Sequence, residues 1–161
     1  MDSSFFLTPR LKAEAAVFGS TSTDLEGAER AGHAAHGRLV YRRDAWRFQG
    51  HYRSLSDGFR SEAGYLPRRN FHHMWAKADY YHRSEGRWAR FVSPGLWAGA
   101  YLDDGARLDE YEVGANTFWK TGSRMWVVPV LRYVGERVDG VVHETARATF
   151  RLGTDRTLHW L

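Results

Sequence analysis

From Trp46 to Arg53 the chain alternates without a break: Arg47, Gln49, His51 and Arg53 fall between Trp46, Phe48, Gly50 and Tyr52. Successive side chains of a β-strand point to opposite faces, so this order puts every polar group on one side of a sheet. A helix would scatter the same residues around its circumference. The preceding stretch repeats the pattern, with Ala35, Gly37, Leu39 and Tyr41 opposing His36, Arg38 and Arg42, and Arg43-Asp44 reads as a tight hairpin connection. Further on, Met74, Ala76, Ala78 and Tyr80 oppose His73, Lys77, Asp79 and Arg83, ahead of a turn at Ser84-Glu85-Gly86. Tyr111, Val113, Ala115, Thr117 and Trp119 oppose Glu110, Glu112 and Asn116. Leu11, Ala13, Ala15 and Val17 against Lys12 and Glu14 give a weaker signal that a short helix also explains. No long segment carries an apolar face at i, i+3, i+4 spacing.

The expectation is an all-β chain: an antiparallel up-and-down meander of about eight or nine long strands with no internal domain boundary over 1–161. The strands are placed at 10–21, 33–42, 45–54, 70–83, 87–102, 107–121, 124–136 and 142–152, with a ninth beginning at Arg156. Asp103-Asp104-Gly105 and Gly122-Ser123 supply hairpin turns.

Composition narrows the class. A chain of 161 residues has the length of one domain, and 15% aromatic content excludes a disordered segment. With no cysteine there is no disulfide, thiolate metal site or cysteine nucleophile. The densest apolar stretch, Met125–Leu131, is far too short for a membrane helix. Residues 1–10 lack the basic start, apolar run and small-residue cleavage site of a signal peptide, so none is expected here. Mean hydropathy is −0.55. That average hides alternation, and one class of membrane protein alternates.

Two features point towards that class. Strands of about 10–15 residues exceed the five or six usual in soluble sheets and suit a tilted bilayer crossing. The early connections also alternate long and short, at 22–32, 43–44, 55–69 and 84–86, as in outer-membrane barrels, although the alternation fades after residue 100. Trp46, Tyr52, Tyr80 and Trp119, with Tyr41, then read as rings of an interfacial girdle on the lipid side. The polar set Arg38, Arg47, His51, Arg53, Lys77 and Glu112 reads as lining a lumen. On pattern alone a second reading stays open: a soluble antiparallel barrel or sandwich binding a small ligand inside, with apolar faces inward and Arg38, Arg47 and Arg53 in water.

The segment Gly58-Phe59-Arg60-Ser61-Glu62-Ala63-Gly64-Tyr65-Leu66-Pro67-Arg68, followed by Asn70 and Phe71, adds a resemblance. It is similar to a motif between two barrel strands in a family of bacterial outer-membrane proteins. In that family a periplasmic, family-9-like carbohydrate-binding domain precedes a C-terminal β-barrel of unknown function. Tyr65 stands where phenylalanine is usual and Asn70 where aspartate is usual. Leu7-Thr8-Pro9-Arg10-Leu11, the hairpin 33–54 and Ser93-Pro94-Gly95-Leu96 also resemble the family's strands, so the likeness spans roughly 5–135. It implies part of an outer-membrane barrel, with the lipid bilayer as partner and carbohydrate handled through an N-terminal domain that this chain lacks. Gly58, Phe59, Arg60, Glu62, Gly64, Tyr65, Pro67 and Arg68 are its loop residues. Physically, Gly58 and Gly64 permit close backbone approach, Pro67 marks an edge or loop, and Arg60 and Glu62 share a face if extended. A structural loop explains them all.

Chemistry is sparse. His72 and His73 fall on opposite faces, as do His33 and His36, which leaves His36 and His51 across one hairpin as the only local pair sharing a face. Glu110 and Glu112 share a face about 7 Å apart, a spacing glycosidase carboxylates use but polar strands also carry as a matter of course. There is no nucleophile elbow, phosphate-binding glycine loop or metalloprotease motif. The expectation is a non-catalytic chain without cofactor or metal. Nucleic acid is not an expected partner, because the rings of strand 45–54 lie opposite its arginines.

Overall fold

The computed structural model describes residues 2–23, 29–59, 70–86, 88–123 and 125–154. It contains strands and turns only: β1 (Asp2–Thr8), β2 (Leu11–Thr23), β3 (Glu29–Arg43), β4 (Trp46–Leu55), β5 (Phe71–Tyr80), β6 (His82–Arg83), β7 (Phe91–Asp103), β8 (Leu108–Lys120), β9 (Met125–Val138) and β10 (Val141–Thr154). All pairings are antiparallel between sequence neighbours, in the order β1-β2-β3-β4-β5-β7-β8-β9-β10, with the two-residue β6 beside β7. The fold is therefore an all-β antiparallel meander. β1 and β10 are its two edges, and the described sheet is not closed.

All eight expected strands form, at nearly the expected bounds, including 11–23, where the alternation was weakest. Four details differ. β1 was not anticipated: Phe5, Phe6 and Leu7 run together without alternation, and the strand exists because β2 offers it a ladder through the turn at Pro9-Arg10. β2 and β3 run on to Thr23 and back to Glu29, so the expected long connection 22–32 shrinks to 24–28. The expected single strand 70–83 is interrupted at Tyr81, whose N–H donates to the Ala45 carbonyl at 2.7 Å in line with the β4–β5 register, before β6 pairs with β7 alone. The tight hairpin turns at Asp44-Ala45 rather than Arg43-Asp44, with Asp44 in the left-handed region at φ 52°. Long connections at one end and short ones at the other hold only through 56–70; the short turn expected at 84–86 spans 84–90, and the turns after β7 are short at both ends. The possible strand from Arg156 lies outside the described residues.

Turn chemistry explains the tightest hairpin. Asp139 and Gly140 have φ of 51° and 82°, the paired positive values of a two-residue turn that matches strand twist. It sets fourteen consecutive pairs between β9 and β10.

Apart from shifts at Phe6–Thr8 and Tyr101–Leu102 the registers are continuous, so each central cross-strand row keeps to one face. One row reads Ala13, Leu39, Gly50, Ala76, Ala98, Val113, Tyr133 and Ala146. A neighbouring row on the other face reads Glu14, Arg38, His51, Trp75, Gly99, Glu112 and Val134. The first face is apolar and the second polar over most of the sheet.

Burial inverts the arrangement of a water-soluble domain. Among the described residues no large side chain is fully buried, and the buried hydrophobic residues are Ala16 and Val40. Leu39, Leu96, Leu131, Phe150 and Leu152, all on the apolar face, are more than half exposed. The polar face holds Ala16, Val40, Asp79 at 4% exposure and Ser93 at 6%; glycines aside, the apolar face holds only Ser54 among the described buried residues. A chain of this length ordinarily encloses an apolar core. This sheet leaves its apolar side uncovered.

Candidate functional site

The polar face of β2–β9 carries the molecule's chemistry. Glu14 accepts hydrogen bonds from Lys12 and from Arg38, the latter at 3.4 Å, and both Arg38 and Arg47 reach the Gln49 side-chain oxygen. Lys77 Nζ lies 2.8 Å from the buried Asp79 carboxylate. Arg132 grips Glu112 with two nitrogens at 2.7 and 2.8 Å. The rings of His36 and His51 meet edge-on at 5.5 Å, His51 meets Trp75 at 5.8 Å, and His73 stacks on Tyr101 at 4.1 Å. The six residues expected to face one way, Arg38, Arg47, His51, Arg53, Lys77 and Glu112, do share this face. They are not one cluster: the first five lie on β3–β5, while Glu112 belongs to an ion pair between β8 and β9. Arg53 is exposed, whereas Arg38 and Arg47 are half-buried.

Two large rings on this face went unremarked in the alternation. Trp97 lies across Gly114 of the next strand, so closely that a Cβ there would overlap the indole. Trp75 lies against Gly99 in the same manner, with its ring 3.1 Å from where a Cβ would sit. The signal was present in principle: each aromatic faces a glycine across the ladder, a pairing that appears only once register is known. These tryptophans also put aromatic surface on the arginine-bearing side, which β4 alone does not do.

The apolar face has its own order. Tyr41, Phe48, Trp46 and Tyr80 form a chain of ring contacts at the 44–45 end, with centroids 6.3, 5.8 and 4.9 Å apart in succession. Trp119 lies on the same face, near its own strand's end at that side of the sheet. Tyr52, expected in the same set, sits nearer the opposite end and shares a 2.8 Å hydrogen bond with His72. Between the two ends Ala13, Ala15, Gly37, Gly50, Ala76, Ala98 and Ala100 floor a shallow apolar trough. A carboxylate interrupts the middle of this face: Glu144 accepts a 2.6 Å hydrogen bond from Tyr111, whose ring crosses over Gly135 to reach it.

Of the motif loop, Gly58 and Phe59 are described, and Arg60, Glu62, Gly64, Tyr65, Pro67 and Arg68 lie outside the described residues. Gly58 packs directly on the Ala31 carbonyl, and the Phe59 backbone crosses Gly32, so neither glycine has room for a side chain. Ser56 fastens this crossing by accepting from the His33 N–H at 2.8 Å and donating its own N–H to the His33 carbonyl at 3.0 Å. The loop's start is thus folded back against β3.

Glu110 and Glu112 do share the polar face, but the Glu112 carboxylate is held by Arg132. Among the described residues no three histidine or acidic side chains converge as a metal site. No known protein family, curated protein or solved structure matches the chain.

Proposed function

We propose that this chain is a β-barrel segment of an outer-membrane protein, non-catalytic and serving a structural or transport role in a surface protein that handles carbohydrate through another domain. The observation that carries the membrane part is the inversion of burial: the apolar face is exposed, and the polar face holds the covered, hydrogen-bonded side chains. Lipid-exposed barrels alternate apolar-out and polar-in, and an apolar surface this broad marks contact with a membrane or another protein. Strand length supports the same reading, since β2, β3 and β7–β10 have 13 to 15 residues, enough for a tilted crossing and an extension beyond it. The ring chain at the 44–45 end fits an interfacial girdle, with alanine and glycine at the depth of the acyl chains. Exposed edges on β1 and β10 call for further strands, from a longer parent chain or another copy, because unpaired backbone is not tolerated in lipid. The carbohydrate part rests on the motif at 58–68 alone.

The test is extraction and electrophoresis. The reading expects a chain that partitions with membranes, needs detergent to leave them, and migrates differently with and without heating. A chain soluble without detergent and showing one mobility would favour the alternative, a soluble antiparallel barrel or sandwich that binds a small ligand in its interior.

A further inference from the structure

The polar face is unevenly charged. Along the row nearest the 44–45 turn stand Arg10, Arg42 and Arg47, followed by Asp79 as the β5 partner of Arg47: Arg42 and Arg47 are register partners on β3 and β4, and the Arg42 N–H donates to the Arg10 carbonyl at 2.8 Å. Directly opposed residues have Cβ atoms about 5 Å apart, so like charges at such a pair repel. Nearby carboxylates are already committed, Glu14 to Lys12 and Arg38, and Asp79 to Lys77. Among the described residues Arg10, Arg42 and Arg47 have no carboxylate within ion-pair distance. The Nε atoms of Arg38 and Arg47 are buried there without a hydrogen-bond partner among the described residues. These side chains converge on one concavity, where Arg10, Lys12, Arg38, Arg42 and Arg47 outnumber the single lining carboxylate, Glu14.

We propose that this concavity binds a phosphoryl group. Opposed guanidinium groups match a compact anion of about two charges, which arginine forks hold through paired hydrogen bonds. One such group would relieve the Arg42–Arg47 repulsion. The site lies on the polar face, so it does not depend on what covers the apolar one.

The test uses the purified chain in a zwitterionic detergent, titrated calorimetrically with inorganic pyrophosphate at low ionic strength. Saturable binding is expected, weakening as salt rises. The double variant Arg42→Gln with Arg47→Gln should lose affinity about tenfold or more, while Arg53→Gln, on the same face outside the concavity, should not change it. Should the double variant fail to refold, Arg42→Lys with Arg47→Lys keeps the charge, removes the fork, and is expected to bind several-fold more weakly. In a second arm the chain is offered phosphatidylcholine vesicles with and without phosphatidylglycerol. An Arg42- and Arg47-dependent gain with phosphatidylglycerol would assign the phosphoryl group to a lipid headgroup, whereas pyrophosphate binding without that gain assigns it to a soluble ligand. Binding to neither probe, or equal binding by wild type and double variant, would overturn the site.

Discussion

The two faces of this sheet are built from the same strands by opposite rules. On the polar face, large side chains lie down: Trp97 over Gly114, Trp75 against Gly99, Arg38 between Glu14 and Gln49. Lys77 reaches Asp79 on its own strand and Arg132 reaches Glu112 on the next. On the apolar face Leu96, Leu131, Phe150 and Leu152 stand away from the sheet at more than 60% exposure each. One exception sharpens the contrast. Tyr111 lies down across Gly135, as the tryptophans do, and what it reaches is a carboxylate on its face, Glu144. Side chains lie flat here where a polar partner must be satisfied, and stand free where the surrounding medium supplies the contact.

The comparison breaks most readily through a charge placed on the wrong side. Ala98→Arg puts a guanidinium in the middle of the apolar trough and should destabilise the folded chain in bilayers by about 2–4 kcal/mol, read from denaturant midpoints. Thr149→Arg, on the polar face of β10, should stay within about 0.5 kcal/mol. Equal effects would mean that the faces do not differ in environment. Overpacking probes the flat rings next: Gly114→Ala and Gly135→Ala each force a large ring off its glycine, at about 1–3 kcal/mol in the same assay. Removing the central ring of the aromatic chain, Trp46→Ala, loses the stacked contact with Phe48 and the tilted one with Tyr80 and should cost roughly 1–3 kcal/mol. The smallest change is Glu112→Gln, which weakens a partly exposed ion pair with Arg132 and should alter stability by no more than about 1 kcal/mol.

Much of this was legible in the sequence because strand periodicity is local. Which residues share a face with Arg47, His51 or Trp46 follows from parity alone, and the registers put Arg47 and His51 on one face and Trp46 on the other. What parity could not supply was anything depending on a neighbour. β1 has no alternation of its own and forms only because β2 pairs with it. Residues 29–32 carry no hydrophobic signal, yet they extend β3 opposite 20–23. The Trp97–Gly114 crossing, the opposed Arg42 and Arg47, and the Tyr111–Glu144 bond all join residues whose meeting is set by register, which hairpin lengths fix and composition does not.

The absence of cysteine makes the central claim directly measurable, because single cysteines can be introduced and spin-labelled without background. Labels at Ala76, Ala98 and Leu131 on one face, and at Lys77 and Arg132 on the other, would be compared in bilayers for collision with oxygen and with a water-soluble nickel complex. The account predicts an alternation of period two: the first three preferring oxygen, the latter two the nickel complex. Equal access of the nickel complex to both faces, or the reverse order, would contradict it.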